Sequence, residues 1–183
     1  MYPDNTLTPK EATRLCALGT LAHRPMRYSA LAQAVRHFVA RILGPSLELM
    51  GTSIELLRYE GLVEAVSGRG MEDDAELAIT DEGRAELATL LTANLRTGAS
   101  ELNKLLITLK FRFLHLLDRD RQRTQAEHLV EVCTIELERL IDLRASHADD
   151  DGHLVAWLDH DINLMEQRLV WLESFRRGLA ASG

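Results

Sequence analysis

The chain has 183 residues, of which 46% are hydrophobic and 5% aromatic, and its formal net charge is −7. No apolar run approaches the roughly 18 residues that a membrane-spanning helix needs, and the N-terminus lacks the basic and apolar regions of a signal peptide, so we expect a cytoplasmic protein with no membrane contact. The negative charge argues against a uniformly basic surface, so DNA contact would require a local basic patch. Leu and Ala supply most of the apolar content, which favours a mostly helical fold.

Two helices are predicted in the first 44 residues. Thr8 and Glu11 form a capping box around Pro9, a residue that suits the first helical position. The segment His23-Arg24-Pro25 ends the first helix, and Ser29 is the predicted N-cap of the second.

The segment from Gly44 to Glu86 has the element order of a winged helix-turn-helix. A third helix is predicted from the apolar spacing of Leu47, Met50, Ile54 and Leu57. Gly61 ends this helix, and a β-hairpin follows with Leu77 and Ile79 in its second strand. Thr80, followed by two acidic residues, caps a fourth helix. Such a motif usually places its second helix in the DNA major groove and its hairpin, the wing, beside the phosphates.

The remainder of the chain is predicted to be helical. Ser100 caps one helix, Thr124–Glu127 forms the capping box of another, and Asp149–Gly152 precedes the last. The wide apolar stripes of these helices exceed what one small winged domain can cover, so we predict a two-fold dimer; a monomeric bundle is the alternative. We therefore predict a mostly α protein with an N-terminal winged helix-turn-helix over residues 1–96, including a small two-stranded wing, and a C-terminal helical dimerisation domain over residues 97–183.

The candidate DNA contacts are cations before and along the second helix, at the end of the third helix and in the wing, together with two hydroxyls. Arginine can hold phosphate through two hydrogen bonds, and hydroxyls can bond to phosphate or to base edges. The residues chosen are Arg27, Arg36, Arg41, Ser46, Thr52, Arg58 and Arg69. The outward face of the third helix also carries Glu48 and Glu55, whose carboxylates would repel phosphate. A winged head that has lost DNA binding and instead docks a protein is therefore the main alternative.

The sequence contains no recognisable catalytic motif. It lacks a phosphate-binding P-loop, a G-x-S-x-G elbow and an H-E-x-x-H motif, so we expect neither an enzyme nor a cofactor. His and Asp residues crowd the stretch 147–161, where a metal site is one interpretation and a solvated acidic loop is the simpler one. Cys16 and Cys133 lie among apolar residues and are predicted to be buried thiols.

Four segments of the chain resemble the PadR-like family of transcriptional regulators. They are LGTLAHRPMRYSAL, PSLELMGTSIELLRYEGLVEA, LAITDEGRAEL and LVAWLDHDINLMEQRLVWLESF. The resemblance spans nearly the whole chain and implies a recognition helix, a wing and a last helix that wraps the partner subunit. In that family, aromatic residues near the dimer interface flank a pocket for planar apolar compounds, which makes Trp157 and Trp171 candidate ligand contacts.

The combined prediction is a homodimeric DNA-binding regulator, most simply a repressor, that acts on a palindromic operator. Its partners would be double-stranded DNA, a second copy of the chain and a small aromatic effector. The alternative is a winged-helix protein-interaction module, which the acidic third helix favours.

Overall fold

A computed structural model of the chain describes residues 6–44, 51–69, 73–96 and 101–181, without the side chains of residues 51–53. Helices and strands follow in the order α1 (Pro9–Leu21), β1 (Met26–Arg27), α2 (Tyr28–Leu43), α3 (Gly51–Tyr59), β2 (Val63–Ser67), β3 (Glu76–Ile79), α4 (Asp81–Thr92), α5 (Glu101–Phe113), a 3₁₀ turn (Leu114–Leu116), α6 (Arg119–Ser146) and α7 (Leu154–Ala181). The predicted mostly helical fold with a winged N-terminal head is confirmed. Ser46, the Thr52 side chain and the predicted cap Ser100 lie outside the described residues.

The first helix forms as predicted. The Thr8 hydroxyl accepts the Glu11 backbone N–H, and the Glu11 carboxylate accepts the Thr8 backbone N–H at 2.7 Å. These reciprocal bonds satisfy donors that the first helical turn leaves free. Pro9 occupies the first turn, where a missing N–H costs nothing.

The wing belongs to a three-stranded antiparallel sheet in the order β1-β3-β2. The sequence predicted only two strands, and the addition is β1, in which Met26 pairs with Leu77. Two residues are too few to give a periodic signal, which explains why the pattern missed this strand. Gly68 turns the hairpin at φ +78°, a conformation that a side chain disfavours.

Ser29 does not cap α2, so that prediction is wrong. The N-cap position is Arg27, whose side chain makes no capping hydrogen bond. Instead the carboxylate of Asp74 accepts the Ser29 backbone N–H at 2.8 Å and the Ser29 hydroxyl at 3.0 Å. The backbone hydrogen bond from Ser29 is the main cause that holds the pKa of Asp74 below its usual value. A residue of the wing thus completes the start of α2.

The start of α4 is fixed against the end of α3. Thr80 is the N-cap, as predicted, because its hydroxyl accepts the Gly83 N–H at 3.0 Å and donates to the Gly61 carbonyl at 2.8 Å. A Cβ atom on Gly83 would lie 2.1 Å from the Leu62 carbonyl oxygen. Only glycine permits this approach, so the predicted turn at Gly61 and the cap of α4 form one packed junction.

The first compact unit continues beyond the winged motif to Leu117. Phe113 of α5 is fully buried, and a Cβ atom on Gly19 of α1 would lie 2.6 Å from its ring. Lys110 is 2% exposed, and its ammonium donates to the carbonyls of Leu91 and Ala93 at the end of α4. The compact unit therefore extends past the boundary predicted after Arg96, because α5 supplies part of the core of the head.

The second compact unit, from Asp118 onward, is the helical hairpin α6–α7. Asp118 caps α6 by accepting the Arg121 N–H at 2.9 Å. The capping box predicted at Thr124–Glu127 is wrong, since Thr124 lies inside the helix and donates to the Asp120 carbonyl. Few side chains of the two helices are buried, namely Gln125, Ala126, Leu129, Cys133, Leu158 and Leu172.

Both cysteines are free and buried, which confirms the prediction for Cys16 and Cys133. Burial raises the pKa of Cys16 to about 11, so its thiol stays protonated at neutral pH. Among the described residues, no helix combines the length and the apolar character that crossing a bilayer demands.

Candidate DNA-binding surface

The exposed face of α3 differs in part from the predicted one. Ile54 and Leu57 are buried, as the apolar spacing predicted. Leu56 is exposed, and the side chain of Tyr59 is 90% exposed at the C-terminal end of the helix. Glu48 lies outside the described residues, while Glu55 is only partly exposed. Tyr59 is therefore a candidate contact that sequence reasoning missed, although its position next to the helix end was visible in the sequence.

Arg58 connects α3 to the wing. Its guanidinium donates to the carbonyl of Arg69 at 2.8 Å and lies 3.3 Å from the carboxylate of Glu55. Two of its donors are thus committed inside the protein, and its side chain is mostly buried. Arg58 was predicted to contact DNA, but this geometry suits it better to hold the wing against α3.

The Arg69 side chain is exposed at the base of the wing turn. Its backbone N–H donates to the carboxylate of Asp73 at 2.5 Å, which fixes the main chain of the turn. Within the described part of the chain, its guanidinium has no hydrogen-bond or ion-pair partner. Such an arginine is available for an external anion.

Arg36 and Arg41 are cations on α2. Arg36 and Arg41 are exposed, and neither pairs with a described carboxylate. Arg27, at the start of the same helix, lies 3.8 Å from Asp74 with its side chain 72% exposed. Because that ion pair is long and exposed, the Arg27 guanidinium can exchange it for another anion at little cost.

Several carboxylates of the head are engaged inside the protein. Arg14 of α1 holds Glu60 at 2.5 Å and Glu86 at 3.6 Å, which ties the end of α3 and the middle of α4 to α1. Asp74 bonds to the start of α2, as described above. These bonds offset part of the acidic charge of the head. The positive charges of Arg36, Arg41 and Arg69 stay unpaired among the described residues.

The two candidate ligand contacts, Trp157 and Trp171, lie on α7. Trp157 packs at a tilt against His160, and Trp171 stacks on Phe175 with 5.7 Å between ring centres. Fourteen residues of helix place the two indoles about 21 Å apart, so they do not share one small pocket. A surface cavity of about 120 Å³ occurs elsewhere, in the head, and is lined by Leu87, Leu91 and Leu116 among others.

The His- and Asp-rich turn between α6 and α7 forms no metal centre in the described residues. The imidazole of His147 lies 3.1 Å from the Asp150 carboxylate. No group of three or more His, Cys, Asp or Glu side chains converges on one point in residues 6–44, 51–69, 73–96 and 101–181.

Comparison with known proteins gives a family and a set of similar folds. The chain resembles three structures of Bacillus subtilis PadR. PadR alone is 16% identical, covering 96% of this chain and 98% of that one with a TM-score of 0.41. PadR with operator DNA is 17% identical (94% and 99% covered, TM-score 0.39), and PadR with p-coumaric acid is also 17% identical (96% and 99% covered, TM-score 0.37). No curated protein matches the chain.

The family assignment depends on a match along almost the whole sequence. The model for AphA-like transcriptional regulators matches residues 2–176. The predicted resemblance to PadR-like regulators is confirmed at the level of the family. The chain therefore belongs to the family of AphA-like transcriptional regulators.

Proposed function

We propose that this protein is a cytoplasmic DNA-binding repressor that acts as a homodimer on a palindromic operator. The observation that carries the proposal is the contrast in charge pairing within the head. Arg36, Arg41 and Arg69 are exposed and unpaired among the described residues, whereas the carboxylates of Glu60, Glu86 and Asp74 are bonded internally. Exposed, unpaired arginines in a winged head suit contacts with the DNA backbone.

The arginines of the head would have two different roles, which follow from their contacts. Arg41, Arg36 and Arg69 would bind phosphates and thereby set the position of α3 on the duplex. Arg58 would keep the wing and α3 in a fixed relation through the Arg69 carbonyl. Recognition of the base sequence would come from α3, on which Thr52 is a candidate polar contact. Ser46, which precedes α3 in the sequence, is a second candidate.

The homodimer is supported by an exposed stripe along α7. We define the α7 stripe as Trp157, Asp161, Leu164, Arg168 and Trp171, which recur at spacings of three and four residues. Trp157, Leu164 and Trp171 are 61%, 50% and 54% exposed. Leu158 and Leu172, on the adjacent face, are buried in the hairpin. Large exposed apolar side chains in a row commonly mark a protein interface.

The order of residues in the α7 stripe suits pairing with an antiparallel copy of itself. Trp157 and Trp171 lie seven residues on either side of Leu164. If two α7 helices cross near Leu164 about a two-fold axis, Trp157 lies level with Trp171 of the partner subunit, and Asp161 lies level with Arg168 of the partner subunit. Such an interface satisfies both charges while it covers the indoles, as an isologous contact requires.

A small aromatic effector would bind beside Trp157 or Trp171 at the edge of this dimer interface. Binding there would change the geometry of the two heads if the effector favours one arrangement of the dimer. Quenching of tryptophan fluorescence by planar aromatic acids tests this part of the proposal. Matched Trp157→Phe and Trp171→Phe variants show which of the two indoles is quenched.

The main experiment selects random duplex DNA with the purified chain at about 50 mM and about 150 mM salt. We expect a palindromic motif that survives the higher salt, with half-sites about one helical turn apart. Arg41→Ala and Arg69→Ala should each weaken binding by a similar factor on the selected site and on unrelated duplexes. Each should also reduce the salt slope of binding by about one. Arg84→Ala is the matched control, because Arg84 is an exposed arginine of α4 outside the proposed footprint.

A protein-interaction head is the second candidate function, and one observation favours it. Leu56 and Tyr59 expose apolar surface on α3, where a DNA reader would present polar groups. In that case no sequence is enriched at either salt, the dimer persists, and Tyr59→Ala affects the capture of a protein partner. Enrichment of a motif that depends on Arg41 and Arg69 rules this candidate out.

A further inference from the structure

The surface cavity of the head lies where three elements of the first compact unit meet. The C-cap residue of α1 contributes Ala22, and the end of the 3₁₀ turn contributes Leu116 and the following Leu117. The remaining lining residues belong to α4. The cavity has a volume of about 120 Å³ and is formed by the head alone.

One face of α4 supplies most of the wall. Arg84, Leu87, Ala88 and Leu91 recur at spacings of three and four residues, so their side chains lie on the same side of the helix. Leu87 and Leu91 are buried and give the wall an apolar surface. Ala88 extends only a methyl group, so the space that a larger residue would fill at this position stays open.

Arg84 gives the lining a single positive charge. Its side chain is exposed, and among the described residues its guanidinium has neither a hydrogen-bond partner nor an ion-pair partner. None of the residues that line the cavity is acidic. A guanidinium with unused donors binds a carboxylate through charge-assisted hydrogen bonds. The cavity therefore combines apolar walls with a group that favours a carboxylate.

The volume of the cavity limits the size of its ligand. An apolar cavity of roughly 150 Å³ in another protein holds a benzene molecule, so the smaller space here suits an alkyl chain of about five carbons. We propose that the cavity binds a short-chain aliphatic monocarboxylate. The carboxylate would bind to Arg84, and the alkyl chain would lie against the leucines of α4 and of the 3₁₀ turn.

Such a ligand would connect α4 to the end of the head. Leu116 is 37% exposed, and an alkyl chain in the cavity would cover part of its apolar surface. The 3₁₀ turn is the last element of the first compact unit, so the ligand would restrain that turn against α4. This site lies apart from Trp157 and Trp171, which belong to the second unit.

The test is a titration of the full chain followed by methyl nuclear magnetic resonance of labelled leucines. Hexanoate, with eight non-hydrogen atoms, should bind with a dissociation constant of about 1 mM. Its binding should shift the methyl signals of Leu87, Leu91, Leu116 and Leu117. Hexylamine, which has a chain of the same length but the opposite charge, should bind at least about tenfold more weakly.

Chain length tests the fit to the cavity. Each methylene that enters an apolar site strengthens binding about fourfold, so hexanoate should bind roughly tenfold more tightly than butanoate. Octanoate should gain nothing further, because its two additional carbons exceed the available space. An affinity that keeps rising from hexanoate to octanoate would contradict a closed site for a short chain.

Two variants separate the charge from the cavity. Arg84→Gln should weaken hexanoate binding at least about fivefold. Ala88→Leu fills the cavity and should abolish the shifts, and Ala22→Leu replaces it if that variant fails to fold. Arg177→Gln is the matched control for charge, since Arg177 is an exposed arginine of α7. Ala85→Leu is the control for size, because Ala85 is an exposed residue of α4 that does not line the cavity.

Three outcomes would overturn the proposal. They are the absence of leucine shifts with hexanoate, equal binding of hexanoate and hexylamine, and unchanged binding in both Arg84→Gln and Ala88→Leu. The measurement needs no DNA, and Arg84 lies outside the proposed DNA footprint. The result therefore does not depend on whether the proposed function is correct.

Discussion

The head and the α6–α7 hairpin are built in opposite ways. The head encloses a continuous core in which Leu15, Leu91, Leu109 and Phe113 are almost fully buried. The hairpin contains two helices of 28 residues each, yet it buries only the few side chains named above. A closed core is stable by itself, whereas helices with exposed apolar residues gain stability from a partner. The comparison predicts a head that is stable alone and a hairpin whose stability depends on protein concentration.

The largest effect should come from emptying the centre of the head. Phe113→Ala removes the ring that fills the space above Gly19, and we expect it to lower the free energy of unfolding by about 4 kcal/mol. Urea denaturation followed by circular dichroism measures the change. Leu164→Ala in the hairpin is the comparison, and its effect at low protein concentration should be far smaller, since Leu164 is half exposed. Equal losses would contradict the contrast between the two units.

Next in size is the buried ammonium of Lys110. Lys110→Met keeps the length of the side chain but leaves the carbonyls of Leu91 and Ala93 without their donor, which should cost about 2 kcal/mol. Lys104→Met is the matched control, since Lys104 is an exposed lysine of the same helix. A variant as stable as this control would show that the end of α4 does not need the ammonium.

Lys110 should also make the stability of the head depend on pH in the alkaline range. Burial lowers its pKa to about 8 in the folded protein, while an unfolded chain keeps the ordinary value near 10.5. Between these values the unfolded state binds more protons, so the contribution of Lys110 to stability rises with pH and is lost as the pH falls through about 8. Denaturation of the wild type and of Lys110→Met from pH 7 to 10 measures this effect. The free energy of unfolding of the wild type minus that of the variant should grow with pH by at most about 1.4 kcal/mol per pH unit.

Charge reversal on α7 tests the proposed dimer. Asp161→Arg and Arg168→Asp should each weaken the dimer roughly tenfold, because each places like charges opposite each other at the proposed crossing. The double variant should restore association, and sedimentation velocity in the absence of DNA measures all three. Glu166→Arg is the control for charge alone, since Glu166 lies outside the α7 stripe. No recovery in the double variant would rule out this antiparallel register.

The smallest expected change concerns the junction between α3 and α4. Thr80→Ala removes the hydroxyl that bonds to Gly83 and Gly61, and it should lower the stability of the head by about 1 kcal/mol. Thr80→Ser, which keeps the hydroxyl, should remain close to the wild type. Thermal unfolding of the two variants side by side distinguishes the cap from the lost methyl group.

The parts of the fold that sequence reasoning predicted correctly are those with local causes. Thr8 with Glu11, and Thr80 ahead of its acidic residues, follow capping rules that need only three or four residues. The cap that Asp74 provides to α2 comes from 45 residues along the chain, so no local pattern contains it. The capping box predicted at Thr124 is wrong because Asp118, a residue that the capping rules also favour, already starts the helix six residues earlier.

The candidate site was less predictable than the fold. The exposed state of Arg36, Arg41 and Arg69 agrees with the choice of these residues, but their role stays a prediction. Whether an arginine faces solvent or a carbonyl depends on tertiary neighbours, and Arg58 shows this because its partner belongs to the wing. The membership of α5 in the head was equally hidden, since the contacts of Lys110 and Phe113 join residues far apart in the sequence.

The close approach of Gly83 to the Leu62 carbonyl has a consequence for mutational screening. In a library that varies every position, residue 83 should accept no second amino acid, because even alanine would collide with a main-chain oxygen. Tyr59 projects into open solvent and should accept many residues in a screen for folding. In a screen for regulation, Tyr59 should become selective if it contacts a partner, so the two positions together separate variants that lose the fold from variants that lose activity.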